Sequence, residues 1–220
     1  MGLFDKKYCD VCSEKIGLLG NRKLEDGNLC KDCAKKLSPF FNERRRSTVA
    51  EIKEQLAYRE ENKSSVSAFN VTRTLGIGTK VLLDEDAGKF IVTSARRWQE
   101  ENPDVLDFSQ VTGCNVDVDE RQRELKHRDK DGNEVSYSPP RRVYSYDFNM
   151  TIHVNSPWFD EIRFRLNRSA IEVEPPVGRV WIQGGADVGR GNVDYRECEA
   201  LGEEIKIGKP LVDGASVTAR

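Results

Sequence analysis

From residue 144 to residue 154 the chain alternates without a break. Tyr144, Tyr146, Phe148, Met150, Ile152 and Val154 fall on one side, and Ser145, Asp147, Asn149, Thr151 and His153 on the other. A strict period of two predicts a strand with one face in a core and one in water. Beyond the loop Asn155, Ser156, Pro157, the residues Ile162, Phe164 and Leu166 alternate with Glu161, Arg163, Arg165 and Asn167, which supplies an antiparallel partner of matching length. Residues 80–83 and 89–92 are two more short apolar runs. They flank a five-residue loop with Gly88 near its end, a second hairpin. Residues 107–118 offer a further strand with Thr112, Cys114, Val116 and Val118 on one face, and Asp131, Gly132 and Asn133 make a turn after it.

Two segments follow a helical period instead. Val49, Ile52 and Leu56 recur at helical spacing behind Thr48 and Glu51, the two ends of a capping box, and this predicts a helix over 48–62. The polar stretch 62–67 and the glycines Gly76 and Gly78 then mark a joint. Near the other end Tyr195, Cys198, Leu201 and Ile205 form one face of a helix. The expected class is α+β, with no internal repeat: a small module over 1–42, a helical linker over 43–70, and an antiparallel β-rich domain over 71–220 closed by a C-terminal helix.

The first module owes its definition to cysteine. Cys9 and Cys12 form one Cys-x-x-Cys pair, Cys30 and Cys33 a second, and 17 residues separate them. This is the spacing at which two knuckles close a tetrahedral tetrathiolate site, and one structural Zn2+ suits four soft thiolates. Gly17, Gly20, Asp26 and Gly27 allow the intervening chain to turn back and bring the second pair to the first. A module of about 40 residues buries too little apolar surface to fold alone, and structural zinc contributes on the order of 10 kcal/mol. A pair of disulfides and a rubredoxin-like iron site are the alternatives. The first needs an oxidising compartment.

Composition and charge narrow the picture. Hydrophobic residues at 37% and charged residues at 33% describe a globular chain with a wet surface and enough apolar mass for a core. No apolar run approaches the roughly 20 residues of a membrane span. Residues 1–7 lack the apolar core of a signal peptide, and Lys6 stands where acylation of Gly2 would call for Ser or Thr, so a cytoplasmic chain is expected. Residues 1–46 carry eleven Lys or Arg against seven Asp or Glu, and the remainder 24 against 30. Four thiolates around a divalent ion return about two negative charges to the first segment, leaving it weakly basic.

Tyr8, Cys9, Asp10, Val11 and Cys12, followed by Asn28 to Leu37, resemble the N-terminal four-cysteine domain of an uncharacterised bacterial family, a domain of unknown function taken to bind metal. The likeness implies a metal site and a bacterial source, over about a fifth of the chain. A second knuckle running into a helix is also similar to treble-clef or zinc-ribbon modules, such as the zinc-binding domain of the bacterial Clp unfoldase, where such modules dimerise and hold adaptors. The β-rich body with its final helix resembles bacterial PH-like or GRAM-like domains, which generally bind lipids, peptides or copies of themselves.

Other candidate groups read as structural. Cys114 and Cys198 lie on apolar faces, His153 on a polar face and His127 in a loop, so they do not assemble a second metal site. Residues 129–134 lack the glycine and glutamate positions of a calcium loop. Gly76 to Lys80 and Gly184 to Gly191 lack the order of a phosphate loop or a dinucleotide fingerprint. Arg44, Arg45 and Arg46 read as a solvated helix end, with contact to nucleic acid or an anionic membrane as the sharper alternative. Neither a nucleophile elbow nor paired catalytic carboxylates are evident, which disfavours an enzyme. The leading expectation is a non-enzymatic cytoplasmic zinc-binding adaptor or scaffold with a protein partner or self-association. A nucleic-acid-binding zinc protein is the alternative, and anionic membrane recognition by the PH-like body a second.

Overall fold

The computed structural model of the chain describes residues 6–175 and 186–207. Four two-residue strands come first: β1 (Lys7–Tyr8) pairs with β2 (Lys15–Ile16), and β3 (Arg22–Lys23) with β4 (Asn28–Leu29), both antiparallel. The one-turn helix α1 (Lys31–Ala34) follows, capped by the Cys30 sulfur. Strands this short hold nothing by themselves. Ile16 and Leu29 of these strands, with Leu24 just after β3, make a small core with Leu37 and with Ile52 from the next helix.

That helix, α2 (Val49–Ala68), begins at the expected capping box. Thr48 Oγ1 accepts from the Glu51 N–H at 3.3 Å, and the Glu51 carboxylate accepts from the Thr48 N–H at 2.7 Å. The helix runs to Ala68, past the joint expected at 62. Asn62 and Val66 are buried, Lys63 pairs with Glu60, and the Ser64 and Ser67 hydroxyls donate to the carbonyls of Glu61 and Lys63. The polar stretch thus continues the helix, with Asn62 and Val66 on its buried side and Lys63, Ser64 and Ser67 in water.

The body is two antiparallel sheets. β5 (Arg73–Leu75), β6 (Lys80–Asp84) and β7 (Lys89–Thr93) form a meander, and after the short helix α3 (Trp98–Glu101) the strand β8 (Leu106–Asp107) joins its edge. In the second sheet β9 (Val111–Arg128) lies along one side of β10 (Glu134–Val154), while β11 (Glu161–Arg165) and β12 (Ile171–Val173) share the other. Two helices follow, α4 (Ala186–Gly189) and α5 (Val193–Ile207). The alternating residues Tyr146, Phe148, Met150 and Ile152 meet Val81, Leu83 and Phe90 in one core, and Tyr195 and Ile205 of α5 close it. The Tyr195 ring meets Tyr146 and Phe148 edge-on, at 5.0 and 4.8 Å between centroids. No described helix is long and apolar enough to cross a membrane.

Within the body four expectations change. Residues Phe108–Gln110 form a 3-10 turn, and the strand begins only at Val111. Thr112 is exposed because the register with β10 slips between His153 and Val154, and the extra residue bulges out of the face that carries Cys114 and Val116. β9 and β10 extend well beyond 118 and 144, so His127 lies in a strand, opposite Val135. The face expected to be wet is partly covered, since Asp147 and Thr151 are buried and Asp147 takes Arg121, Arg165 and Asn167 as partners. The turn after β9 does form. Gly132 adopts φ +84°, and the Asp129 carboxylate accepts from the N–H groups of Asp131 and Asn133 at 2.9 Å each. Gly189 is a packing glycine, since a Cβ there would lie 2.3 Å from the Tyr195 ring. Residues 1–5 and the glycines Gly184 and Gly185 lie outside the described residues.

A buried polar clamp joins the first module, α2 and the body. Arg59 Nη1 of α2 donates to Asp104 Oδ1 at 2.8 Å with both side chains almost wholly buried, and Ser38 Oγ donates to Asp104 Oδ2 at 2.7 Å. Arg59 also reaches the carbonyls of Lys36 and Asn102. Asn62 donates to Pro103 O at 2.7 Å and accepts from the Val105 N–H at 3.1 Å. Burial pushes the Asp104 carboxyl upward against the pull of Arg59 and Ser38.

Candidate metal centre

Each Cys-x-x-Cys pair sits on a backbone bend that the adjoining hairpin holds. At the first, the Cys9 N–H donates to Glu14 O at 2.9 Å and the Ser13 N–H returns to Cys9 O at 2.8 Å. This return puts Ser13 at φ +62°, a region that serine enters only under constraint. At the second, Cys30 leads directly into α1, so Cys33 lies within the helix. The two bends are clipped together by Asp10, whose Oδ2 accepts from the Asn28 N–H at 2.6 Å while its own N–H donates to Asn28 O at 2.9 Å.

The four sulfurs of Cys9, Cys12, Cys30 and Cys33 lie within 4.8 Å of one another. A tetrahedral zinc with Zn–S near 2.3 Å separates its sulfurs by about 3.8 Å; Cys12 Sγ and Cys30 Sγ stand 3.7 Å apart. Backbone N–H groups point at the cluster, from Cys30 to Cys9 Sγ and from Cys33 to Cys30 Sγ, each at 3.3 Å. Donors of this kind favour the thiolate. Burial works to raise the Cys9 thiol, but the backbone donors of Cys12, Cys30 and Val11 outweigh it and hold the group at about 7. Cys33 goes the other way, raised by burial and by its sulfur neighbours. The donor set fits a thiophilic ion.

Residues 7–55 match the family described as Domain of unknown function (DUF4428). The DUF4428 match takes in all four cysteines and ends within α2, one turn after Ile52, the helix residue buried with the module's core. No curated protein and no solved structure matches the chain.

The DUF4428 segment also holds residues that spacing alone does not reveal. Asp26 Oδ1 accepts from the Val49 N–H at 2.8 Å, so the module caps α2 from outside the helix. Gly27 lies so close that a Cβ would come within 2.5 Å of Val49 and 2.8 Å of the Asp10 carboxylate. Asp10, Asp26 and Gly27 look like ordinary turn residues in the sequence; their roles arise from segments about 20 residues away.

Outside the DUF4428 segment, Cys114 and Cys198 are partly buried against the body core, and burial raises both thiols, Cys114 to about 11. His153 faces away from Cys114 and meets Asn115 Oδ1 at 3.0 Å, while the His127 ring rests 4.7 Å from that of Tyr137. Among the described residues no other group of three or more Cys, His, Asp or Glu converges on one point. Arg44, Arg45 and Arg46 form a 3-10 turn ahead of α2. Arg46 pairs with Glu43 at 3.4 Å, and Arg44 donates to Lys23 O at 3.0 Å.

Proposed function

We propose that the chain is a non-enzymatic zinc-binding scaffold, with one structural Zn2+ on Cys9, Cys12, Cys30 and Cys33 and a β-rich body that docks a protein partner. The convergence of four sulfurs within 4.8 Å, with Cys12 Sγ and Cys30 Sγ 3.7 Å apart, carries this reading. Four protein ligands leave no position for water or substrate, so the ion staples the module rather than taking part in chemistry. The order of knuckle, hairpin and short helix supports a treble-clef reading of the module. Two antiparallel sheets with α5 packed on them support the PH-like reading of the body. The buried clamp at Arg59 and Asp104 fixes the two parts in one orientation, as a scaffold requires.

Elemental analysis of protein purified without added metal tests the reading. One zinc per chain is the expected result. Iron in place of zinc would point to electron transfer, and a metal-free folded protein would remove the proposal. Turnover of a substrate by the zinc-loaded chain would overturn its non-enzymatic part.

A further inference from the structure

The turn between β2 and β3 carries the wrong residues for a turn. The Gly20 N–H donates to Gly17 O at 3.0 Å, which places Leu18 and Leu19 at the two corners, 92% and 88% exposed. Such corners are the place of Gly, Pro, Asn, Asp and Ser, and two adjacent leucines there hold apolar surface in water without any packing in return. Arg22 ties this turn to its surroundings, since its Nη1 donates to Leu19 O at 3.4 Å.

Arg22 also opens a cationic cavity. A space of about 690 Å³ lies between the β3 strand and the 3-10 turn, with Arg22, Lys23, Arg44 and Arg45 around it and Glu25 as the one carboxylate. Among the described residues none of these four cations is ion-paired, whereas Arg46 next to them pairs with Glu43. Burial lowers Arg44, and the charges of Arg22 and Arg45 lower it further, so this is a place where positive charge is crowded and an anion would relieve it.

We propose that this end of the metal module docks on an anionic membrane surface, with Leu18 and Leu19 entering the boundary between headgroups and acyl chains while Arg22, Lys23, Arg44 and Arg45 take lipid phosphates. The pairing of an apolar tip with a basic cup distinguishes a bilayer from a nucleic acid. A single strand would be met by aromatic stacking platforms and a duplex by the cations alone, and two exposed aliphatic side chains at a turn gain nothing from either. Net charge sets the orientation. Beyond residue 46 the chain carries 24 Lys or Arg against 30 Asp or Glu, so an anionic surface attracts the module and repels the body. The proposal rests on the metal-held fold of the module, because the turn hangs from the hairpin behind the first knuckle.

The test is co-sedimentation of the full-length, zinc-loaded chain with vesicles of phosphatidylcholine, with and without phosphatidylglycerol, and metal content measured on every variant. Binding is expected only to the anionic vesicles, weakening as salt rises. The double variant Leu18→Ser, Leu19→Ser is expected to bind about tenfold more weakly with its metal retained, and Arg44→Ala with Arg45→Ala to lose binding likewise. A zinc-loaded chain that ignores anionic vesicles, or leucine variants that bind as well as the unaltered chain, would overturn the docking while leaving the metal site standing. Preference for duplex DNA over the vesicles would overturn it too. Absence of metal from the unaltered chain would instead strike at the module itself.

Discussion

Among the four candidate ligands, Cys9 and Cys33 stand at opposite ends of the acid–base range, one thiol depressed to about 7 by backbone donors against the pull of burial, the other raised by burial. At neutral pH a metal-free site therefore still holds protons that zinc must displace. Falling pH adds protons to the thiolates and weakens zinc binding, while rising pH strengthens it. Calorimetry in buffers of different ionisation enthalpy is expected to show more than one proton released per zinc at pH 7, and a count of zero would contradict the tetrathiolate. Cys33→Ser, read by the same metal analysis, is expected to lose the ion. The convergence of the four cysteines was legible, because a Cys-x-x-Cys pair is a local pattern. The residues that aim them were not. Asp10 acts on Asn28, and Asp26 on Val49, across gaps that no period spans. Arg44 and Arg45 were visible as a triplet with Arg46, but their meeting with Arg22 and Lys23 depends on how the second hairpin folds back.

Helix α2 shows how an element can serve two cores. Ile52 belongs to the metal module, while Arg59 and Asn62 face the segment 102–105 of the body. Removing one partner of a buried ion pair leaves a lone charge, so Arg59→Ala is expected to cost about 3–5 kcal/mol in chemical denaturation. Gln55, wholly buried on the same helix, finds no hydrogen-bond partner for either end of its amide among the described residues. Gln55→Met keeps the length and removes the polar group, and a gain of about 1 kcal/mol in the same experiment is expected. The start of α2 was legible from Thr48 and Glu51. Its end was hidden because Asn62 to Ser67 read as a joint by composition, while the burial that keeps them helical comes from the body. β10 was legible over 144–154, where one face is core. The distal half of β9 was not, since residues 119–128 hold a single aliphatic residue, Leu125, and are strand only by pairing with β10.

At the scale of the molecule, the proposed zinc and apolar burial divide the work. Chelation is expected to raise hydrogen exchange first in residues 7–37 and then in the first turns of α2, while β6, β7 and the central part of β10 stay protected by their own core. Simultaneous exchange of both parts would mean that the clamp at Asp104 binds them into one cooperative unit. The clamp has a second consequence, which concerns time. Its partners lie far apart along the chain, Ser38 from Asp104 by 66 positions and Arg59 by 45. Contacts that close such long loops form after local hairpins, because the entropy of closure precedes its reward. A contact absent from the transition state governs escape from the native state rather than entry into it. Arg59 is thus expected to act as a latch on the unfolding rate: in stopped-flow kinetics Arg59→Ala should unfold faster while refolding at about the same rate, and an equal slowing of refolding would contradict this.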